Sequence, residues 1–155
     1  MTRHTRPARR IGSRGGAGDS VMVGGRVLPL PPGRIRRVAQ AVLAGERRRA
    51  MVSITFLGPT AMRRLNRRYL GHDRATDVLA FPLLGPDGGL AGDVYICRAV
   101  AAREAQARRI PEREEVTRLI VHGVLHVLGY DHPTGPRRTA SKMWRRQERY
   151  VRKLA

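Results

Sequence analysis

The segment from His122 to His132, near the C-terminal end of the chain, constrains the fold more than any other stretch of the sequence. His122 and His126 are four residues apart, so on a helix their side chains lie on one face, about 6 Å apart along the axis. Gly129 follows at a position where helices commonly end in a left-handed turn. Pro133 disfavours a helical conformation for His132. We therefore predict a helix that ends near Gly129 and a reversal that brings His132 back to the other two histidines.

Three imidazoles that meet at one point form the ligand set of a metal site. Neutral imidazoles suit zinc, and three protein ligands leave a fourth tetrahedral position for water, as in catalytic zinc sites. A structural zinc site would usually be closed by four Cys or His ligands, and the single cysteine, Cys97, stands isolated in an apolar stretch. Histidines at helical spacing can also be ordinary core or surface residues. The turn glycine and the third histidine favour the other interpretation, that His122, His126 and His132 bind one Zn²⁺.

The length and composition of the chain indicate one domain and no membrane span. The chain has 155 residues, about the length of one domain, and no apolar run approaches the ~20 residues that cross a bilayer. A lone cysteine excludes an internal disulfide framework and fits a reducing compartment, so we expect a cytoplasmic protein. Residues 1–25 are basic and glycine-rich without apolar periodicity, which predicts a disordered tail. Residues 26–155 are predicted to form one catalytic metal-binding domain.

The strong positive charge indicates a polyanionic partner. The formal net charge is +19, and it comes almost wholly from arginine, since only Lys142 and Lys153 supply lysine. The planar guanidinium binds phosphate oxygens in pairs and stacks on bases, so this charge is typical of a nucleic-acid binder. An arginine-rich composition can also reflect genome composition and a solvated surface. Net charge alone does not identify the polyanion.

Apolar periodicity along the chain predicts a small α/β (α+β) fold. We expect a mixed sheet of about four strands packed with about five helices, with the metal site on a central helix and the turn after it. Thr60 is predicted to cap the second helix, and a helix rich in arginine is expected to close the chain. The predicted strands lie within 21–30, at a sheet edge, and at 50–57, 76–83 and 92–97; the predicted helices are 34–45, 60–70, 99–109, the histidine helix from Pro111, and 138–154.

The order of the motifs resembles one known family. The pattern His-Gly-x-Leu-His-x-x-Gly-Tyr-Asp-His follows Asn66, Tyr69, Asp73, Thr76-Asp77-Val78-Leu79, Phe81-Pro82, Gly92-Asp93-Val94 and Ile96-Cys97. From Val52 to Tyr150 this arrangement resembles the YbeY family of bacterial rRNA maturation endoribonucleases. The resemblance implies a small α/β fold, one bound zinc at His122, His126 and His132, and action on RNA. It further implies a role in 16S rRNA 3′-end maturation and ribosome quality control, with the small ribosomal subunit as partner.

The chain departs from this family at a position thought to serve activity. The family usually has an arginine directly after the tyrosine of the middle motif, whereas Leu70 follows Tyr69 here. Arg67, Arg68 or Arg74 is a candidate to supply a displaced guanidinium, and we predict Arg68 and Arg74 as catalytic residues. Asp131 is predicted to orient a ligand histidine as metal-bound imidazoles require, or to act as base.

Other functions remain open at this point. Metzincin peptidases share the spacing of the three histidines but place a glutamate, the general base, after the first one, where this chain has Gly123. Loss of such a base typically lowers the rate by 100-fold to 10,000-fold. Glycine within a helix costs ~1 kcal/mol relative to alanine, so its small size is needed either for a bound phosphate or for tight helix packing. We predict hydrolysis of single-stranded RNA, with a metallopeptidase or a noncatalytic RNA-binding ribosome-assembly factor as alternatives.

Overall fold

A four-stranded mixed sheet forms the centre of the protein, which a computed structural model describes over residues 20–155. The strand order is β1-β2-β4-β3. The first three of these strands are parallel to one another, and β3 pairs with β4 as an antiparallel hairpin, as the turn between them predicts. The strands are β1 (Ser20–Gly24), β2 (Met51–Leu57), β3 (Val78–Leu84) and β4 (Leu90–Cys97).

Five α-helices and one 3₁₀ helix accompany this sheet in the described residues, so the predicted α/β class is confirmed. A large core lies between the sheet and helices α1, α4 and α5, and a smaller one lies on the opposite face beneath α2. Within the described residues, no helix is long and apolar enough to span a membrane. The helices are α1 (Pro32–Gly45), α2 (Pro59–Leu70), α3 (Arg98–Arg108), α4 (Glu112–Val127), the 3₁₀ helix Gly135–Ala140 and α5 (Lys142–Leu154).

Helix α4, which carries two of the histidines, is the central helix. Twelve of its sixteen residues are buried, so it is covered on nearly every side. Pro111 precedes it, and three glutamates occupy its first turn, where the helix dipole favours negative charge. A side chain at Gly123 would overlap the methyl groups of Val94 on β4. This overlap thus supports tight packing of α4 on the sheet, and not room for a bound phosphate, as the reason for this glycine.

The edge strand predicted within 21–30 is confirmed as β1, which lies at one edge of the sheet and pairs with β2 over its whole length. It takes residues 20–24 out of the tail predicted over 1–25, whose residues 1–19 lie outside the described ones. Two predictions about local structure are wrong. Thr60 does not cap α2, because Pro59 takes the first helical position and Gly58 becomes the N-cap. The last helix begins at Lys142 and not at 138, since Ser141 caps it by accepting a hydrogen bond from the Trp144 amide at 3.1 Å.

Candidate metal centre

The three histidines of the C-terminal segment meet at the end of α4. His122 and His126 come from the same face of the helix, and their ring centroids are 4.6 Å apart. Gly129 has a φ of +95°, and the amide of Tyr130 donates to the Leu125 carbonyl at 3.0 Å. This left-handed turn reverses the chain as predicted. The ring of His132 consequently lies 5.1 Å from each of the other two rings.

The donor set fits a divalent metal ion. One nitrogen from each imidazole lies within 4.8 Å of the other two. A tetrahedral ion with bonds of about 2.0–2.1 Å needs nitrogens about 3.4 Å apart, which small side-chain rotations can supply. Burial, together with the charge of His126, lowers the pKa of His122 to about 3. Burial, followed by the charge of His132, also lowers the pKa of His126. These imidazoles are therefore held in the neutral form that binds metals.

A chain of hydrogen bonds sets the orientation of the His122 ring. The Gln147 amide nitrogen donates to Oε1 of Glu148 at 3.1 Å, so its oxygen is the atom that faces His122. That oxygen lies 2.7 Å from Nδ1 of His122 and can only accept a hydrogen bond. Nδ1 therefore carries the proton, and Nε2 presents its lone pair to the metal position.

The buried Arg118 fixes the position of Glu148, the last residue in this series of hydrogen bonds. Arg118 donates to Glu148 at 2.8 and 3.2 Å. It also donates to Glu115 at 2.9 Å and to Glu114 at 3.0 Å. With its donors directed to three carboxylates, Arg118 is positioned to support the site and is not free to bind a substrate phosphate. Sequence reasoning missed both Gln147 and Arg118, because they approach His122 through the packing of α5 on α4.

Backbone contacts orient His132. Its Nδ1 lies 3.0 Å from the carbonyl oxygen of Pro133, and since a carbonyl only accepts, Nε2 is again the free nitrogen. Asp131 accepts a hydrogen bond from the backbone amide of His132 at 2.8 Å. In this structure Asp131 holds the backbone of the turn, and its predicted role in orienting a ligand histidine or acting as base stays a prediction.

A buried carboxylate ties the same turn to the rest of the protein. Glu46, directly after α1, accepts hydrogen bonds from the Tyr130 hydroxyl at 2.6 Å and the Tyr150 hydroxyl at 2.7 Å. Arg146 forms an ion pair with it at 2.7 Å, and the Glu46 side chain is only 4% exposed. Tyr130 lies two residues before His132, so this contact fixes the segment that delivers the third histidine.

Comparisons with known proteins agree with the motifs. The family model described as Endoribonuclease YbeY matches residues 32–155. The chain belongs to the YbeY family. It is 46% identical over 114 residues to an endoribonuclease YbeY of Anaeromyxobacter, a match covering 70% of this chain and 59% of that relative. It is 41% identical over 121 residues to the Bordetella pertussis relative of the same name, covering 73% of this chain and 77% of that one.

The fold is also that of a solved structure. The solution structure of a Thermotoga maritima protein superposes with a TM-score of 0.62 at 25% identity, covering 86% of this chain and 88% of that one. The YbeY resemblance predicted from the motifs is therefore confirmed in sequence and is consistent with the fold.

Both arginines predicted as catalytic are exposed: Arg68 lies in the last turn of α2, and Arg74 lies in the loop between α2 and β3. The Arg68 guanidinium stacks on the Tyr69 ring at 5.5 Å from its centroid. The carbonyl of Arg74 accepts a hydrogen bond from the Asn66 amide at 2.9 Å, which fixes the loop backbone. Among residues 20–155, no hydrogen bond joins either guanidinium to the three histidines. Their catalytic role in this member of the YbeY family stays a prediction.

Another arginine does lie at the histidine cluster. Arg138, in the 3₁₀ helix, lines a small cavity together with His122, Trp144 and Gln147. After burial and neighbouring histidine charges, its positive charge further lowers the pKa values of His122 and His126. The guanidinium lies 5.8 Å from the Trp144 ring centroid, and its buried Nε has no hydrogen-bond partner. Sequence reasoning missed it because Arg137 and Arg138 resemble the many other arginines of this chain.

Proposed function

We propose that this protein is a zinc-dependent endoribonuclease that hydrolyses phosphodiester bonds of single-stranded RNA. The observation that carries the proposal is the meeting of three histidines in a chain whose family model is described as an endoribonuclease. Zinc suits three imidazole ligands, and three protein ligands leave one coordination position for chemistry.

His122, His126 and His132 would hold the ion, with Gln147 fixing the ring of the first. When bound, zinc lowers the pKa of a coordinated water toward ~7 and polarises a phosphoryl oxygen. The low pKa of His122 keeps this ligand unprotonated at neutral pH. The histidines therefore act only as metal ligands in this proposal, so another group must accept the proton of the attacking nucleophile.

Asp131 is our candidate for proton transfer. It is exposed, and one carboxylate oxygen already accepts the amide of His132. Its other oxygen would accept a proton from the attacking nucleophile. A carboxylate in this position stays next to the metal ligands because the backbone hydrogen bond fixes it.

Arg138 is our candidate for binding the scissile phosphate. It lines the cavity beside His122 and forms no ion pair with an acid among residues 20–155, so its charge is available to a negatively charged ligand at the metal centre. Donors of this kind stabilise charge that develops in phosphoryl transfer. Arg138 would thereby serve the role that the family gives to the arginine at the position of Leu70, and Arg68 and Arg74 are the alternatives from the sequence.

The metallopeptidase alternative lacks a general base at the expected position. Gly123 packs against Val94, so a glutamate introduced there would be forced into the core between α4 and the sheet. The peptidase mechanism that the histidine spacing suggests is not supported by this geometry. The noncatalytic alternative rests on the net charge of +19, which suits RNA binding with or without cleavage.

The natural substrate that we propose is the 3′ end of 16S rRNA in the small ribosomal subunit, in the cytoplasm. The support for it is the family resemblance of the motifs, together with a charge suited to a structured RNA partner. Incubation of precursor small subunits with the protein, followed by mapping of the rRNA 3′ end, tests this assignment. A cleavage confined to other rRNA regions would contradict it.

Cleavage of a labelled single-stranded RNA tests the activity itself. We expect about one zinc per chain, and we expect cleavage to disappear on chelation, to return with added zinc, and to be absent in His126→Ala. His72→Ala, in an exposed histidine outside the cluster, is the matched control and should retain activity. Cleavage that survives both His126→Ala and chelation would overturn the proposal. Casein cleavage would support the peptidase, and salt-dependent RNA binding without turnover would support the assembly factor.

A further inference from the structure

Helix α5 presents a line of cations along its exposed side. The four positions are separated by three or four residues, so they fall on one face of the helix over about 15 Å. The opposite face, with Met143, Gln147 and Val151, is buried. Together with Arg146, these cations line a groove of about 280 Å³. We call them the α5 basic face: Lys142, Arg145, Arg149 and Arg152.

The charges of the α5 basic face are not neutralised within the described chain. None of its four members forms an ion pair with an acid among residues 20–155. The α4 arginine Arg118, by contrast, is paired with three glutamates. The unpaired cations of α5 are thus available to an external anion.

This arrangement disfavours the free helix. Like charges three and four residues apart repel by about 0.2–0.5 kcal/mol per pair. The first turn of α5 contains Lys142 and no acid, although the helix dipole favours negative charge at that end. A polyanion laid along the groove would relieve both effects.

The groove adjoins the metal-binding turn. Arg146 forms one of its sides, and the guanidinium of Arg146 lies 5.1 Å from the Tyr130 ring centroid. Tyr130 lies two residues before His132. On the buried side of the same helix, Gln147 contacts His122. An RNA strand at the histidines could therefore continue along α5.

We propose that the α5 basic face binds the phosphate backbone of the RNA substrate beside the cleavage site. This inference rests on the proposed function. All four members are exposed cations spaced along one helix face, an arrangement that follows a phosphate backbone and fixes the position of a strand without reading its sequence. The exposed face also lacks the large apolar side chains that insert a helix into a lipid interface, which favours RNA over a membrane surface.

The test compares two variants that lose the same charge. The first replaces all four members of the α5 basic face by glutamine. The control replaces four exposed arginines on other elements by glutamine: Arg36, Arg37, Arg49 and Arg103. Glutamine is a good helix former, so both variants should fold, which circular dichroism checks.

Binding is measured with the full-length zinc-loaded protein and a labelled single-stranded DNA 12-mer. This probe carries a phosphate backbone but is not a substrate for an endoribonuclease. We expect the α5 variant to bind about tenfold or more weakly at 0.1 M salt, and its slope of log K against log salt to fall by roughly 2–3 units, since each phosphate contact contributes ~0.7. The control should change binding by less than about threefold. Equal losses in both variants, or no loss in the α5 variant, would overturn the proposal.

Cleavage assays separate this inference from the function on which it rests. The α5 variant should cleave a short RNA of two or three nucleotides at the wild-type rate and a long RNA with a raised KM. If the wild type cleaves long RNA and the α5 variant does so with the same KM, the proposal for the α5 basic face is refuted and the proposed function stands. Absence of cleavage by the wild type would refute the proposed function, while the DNA-binding comparison would still decide the inference. Stronger loss of binding to anionic lipid vesicles than to DNA would assign the face to membranes and overturn the RNA proposal.

Discussion

The side-chain oxygen of Gln147 lies 2.7 Å from Nδ1 of His122, and this contact determines which nitrogen of His122 can bind a metal. The amide cannot rotate freely, because its nitrogen donates to Glu148, which Arg118 holds in turn. A partner of this kind both orients the ring and increases its basicity as a ligand.

Gln147→Leu should therefore weaken metal binding without unfolding the protein. Loss of such a partner typically lowers metal affinity by about 10-fold to 100-fold, and competition with a chromophoric chelator measures it. Gln147→Glu retains an acceptor for Nδ1–H and should bind the metal more tightly than Gln147→Leu. Equal affinities of Gln147→Leu and wild type would show that the contact does not support the site.

The contrast between His132 and Gln147 shows how far the sequence determines the site. His122, His126 and His132 lie within one turn and a reversal, so helical spacing and Gly129 were enough to predict that they meet. Gln147 reaches His122 only because α5 packs on α4, and no local pattern encodes that packing. Arg138 could not be selected among so many arginines.

The same distinction holds for the fold. The strand and helix patterns around β2, β4 and α4 were predicted from apolar periodicity. An edge strand within 21–30 was also predicted, but its bounds, Ser20–Gly24, are set by pairing with β2 about thirty residues away and not by a local pattern. Thr60 has the side chain of a helix cap, but Pro59 begins the helix one residue earlier.

Gly123→Ala should destabilise the protein although alanine is the better helix former. The added methyl group would overlap Val94, and overpacking of a core typically costs about 1–3 kcal/mol, against ~1 kcal/mol gained in helix propensity. We expect a net loss of about 1 kcal/mol in the free energy of unfolding, measured by urea denaturation.

Val94→Ala in the Gly123→Ala background provides the control, since it removes the methyl groups that the new side chain meets. The two substitutions together should cost less than the sum of each alone, which gives a favourable coupling energy. An unchanged stability with a raised KM for RNA would instead support the other explanation for this glycine, room for a bound phosphate.

Glu46 should make stability depend on pH in the acid range. Burial opposes its ionisation, but hydrogen bonds from Tyr130 and Tyr150 and the charge of Arg146 outweigh burial and lower its pKa below 4.5. A carboxyl group whose pKa is depressed on folding contributes stability above its unfolded pKa, and this contribution is lost as the pH falls through the folded pKa. The wild type should thus lose stability below about pH 4.5.

Glu46→Gln tests this assignment. It should lower the free energy of unfolding at pH 7 by about 2–3 kcal/mol, since hydrogen bonds to charged groups contribute about 1.5–3 kcal/mol, and it should flatten the decline below pH 4.5. Urea denaturation at pH 7 and pH 4 measures both effects. Glu104→Gln, at a carboxylate without a hydrogen bond in the described chain, is the control and should change neither. A variant with the wild-type pH profile would contradict the role of Glu46.

Arg138→Gln should reduce catalysis while leaving the metal in place. The loss of one positioned donor at developing negative charge typically lowers kcat by about 100-fold to 1,000-fold, and zinc content should remain near one per chain because Arg138 is not a ligand. Arg138→Lys keeps the charge but not the planar pair of donors, so it should recover only part of the rate. Parallel assays of Arg68→Gln and Arg74→Gln compare the arginines predicted from the sequence. If Arg68→Gln or Arg74→Gln loses activity and Arg138→Gln does not, that surface arginine takes the role of the family arginine that Leu70 replaces. Substrate RNA must then cross the edge of the sheet at β3 to reach the histidines.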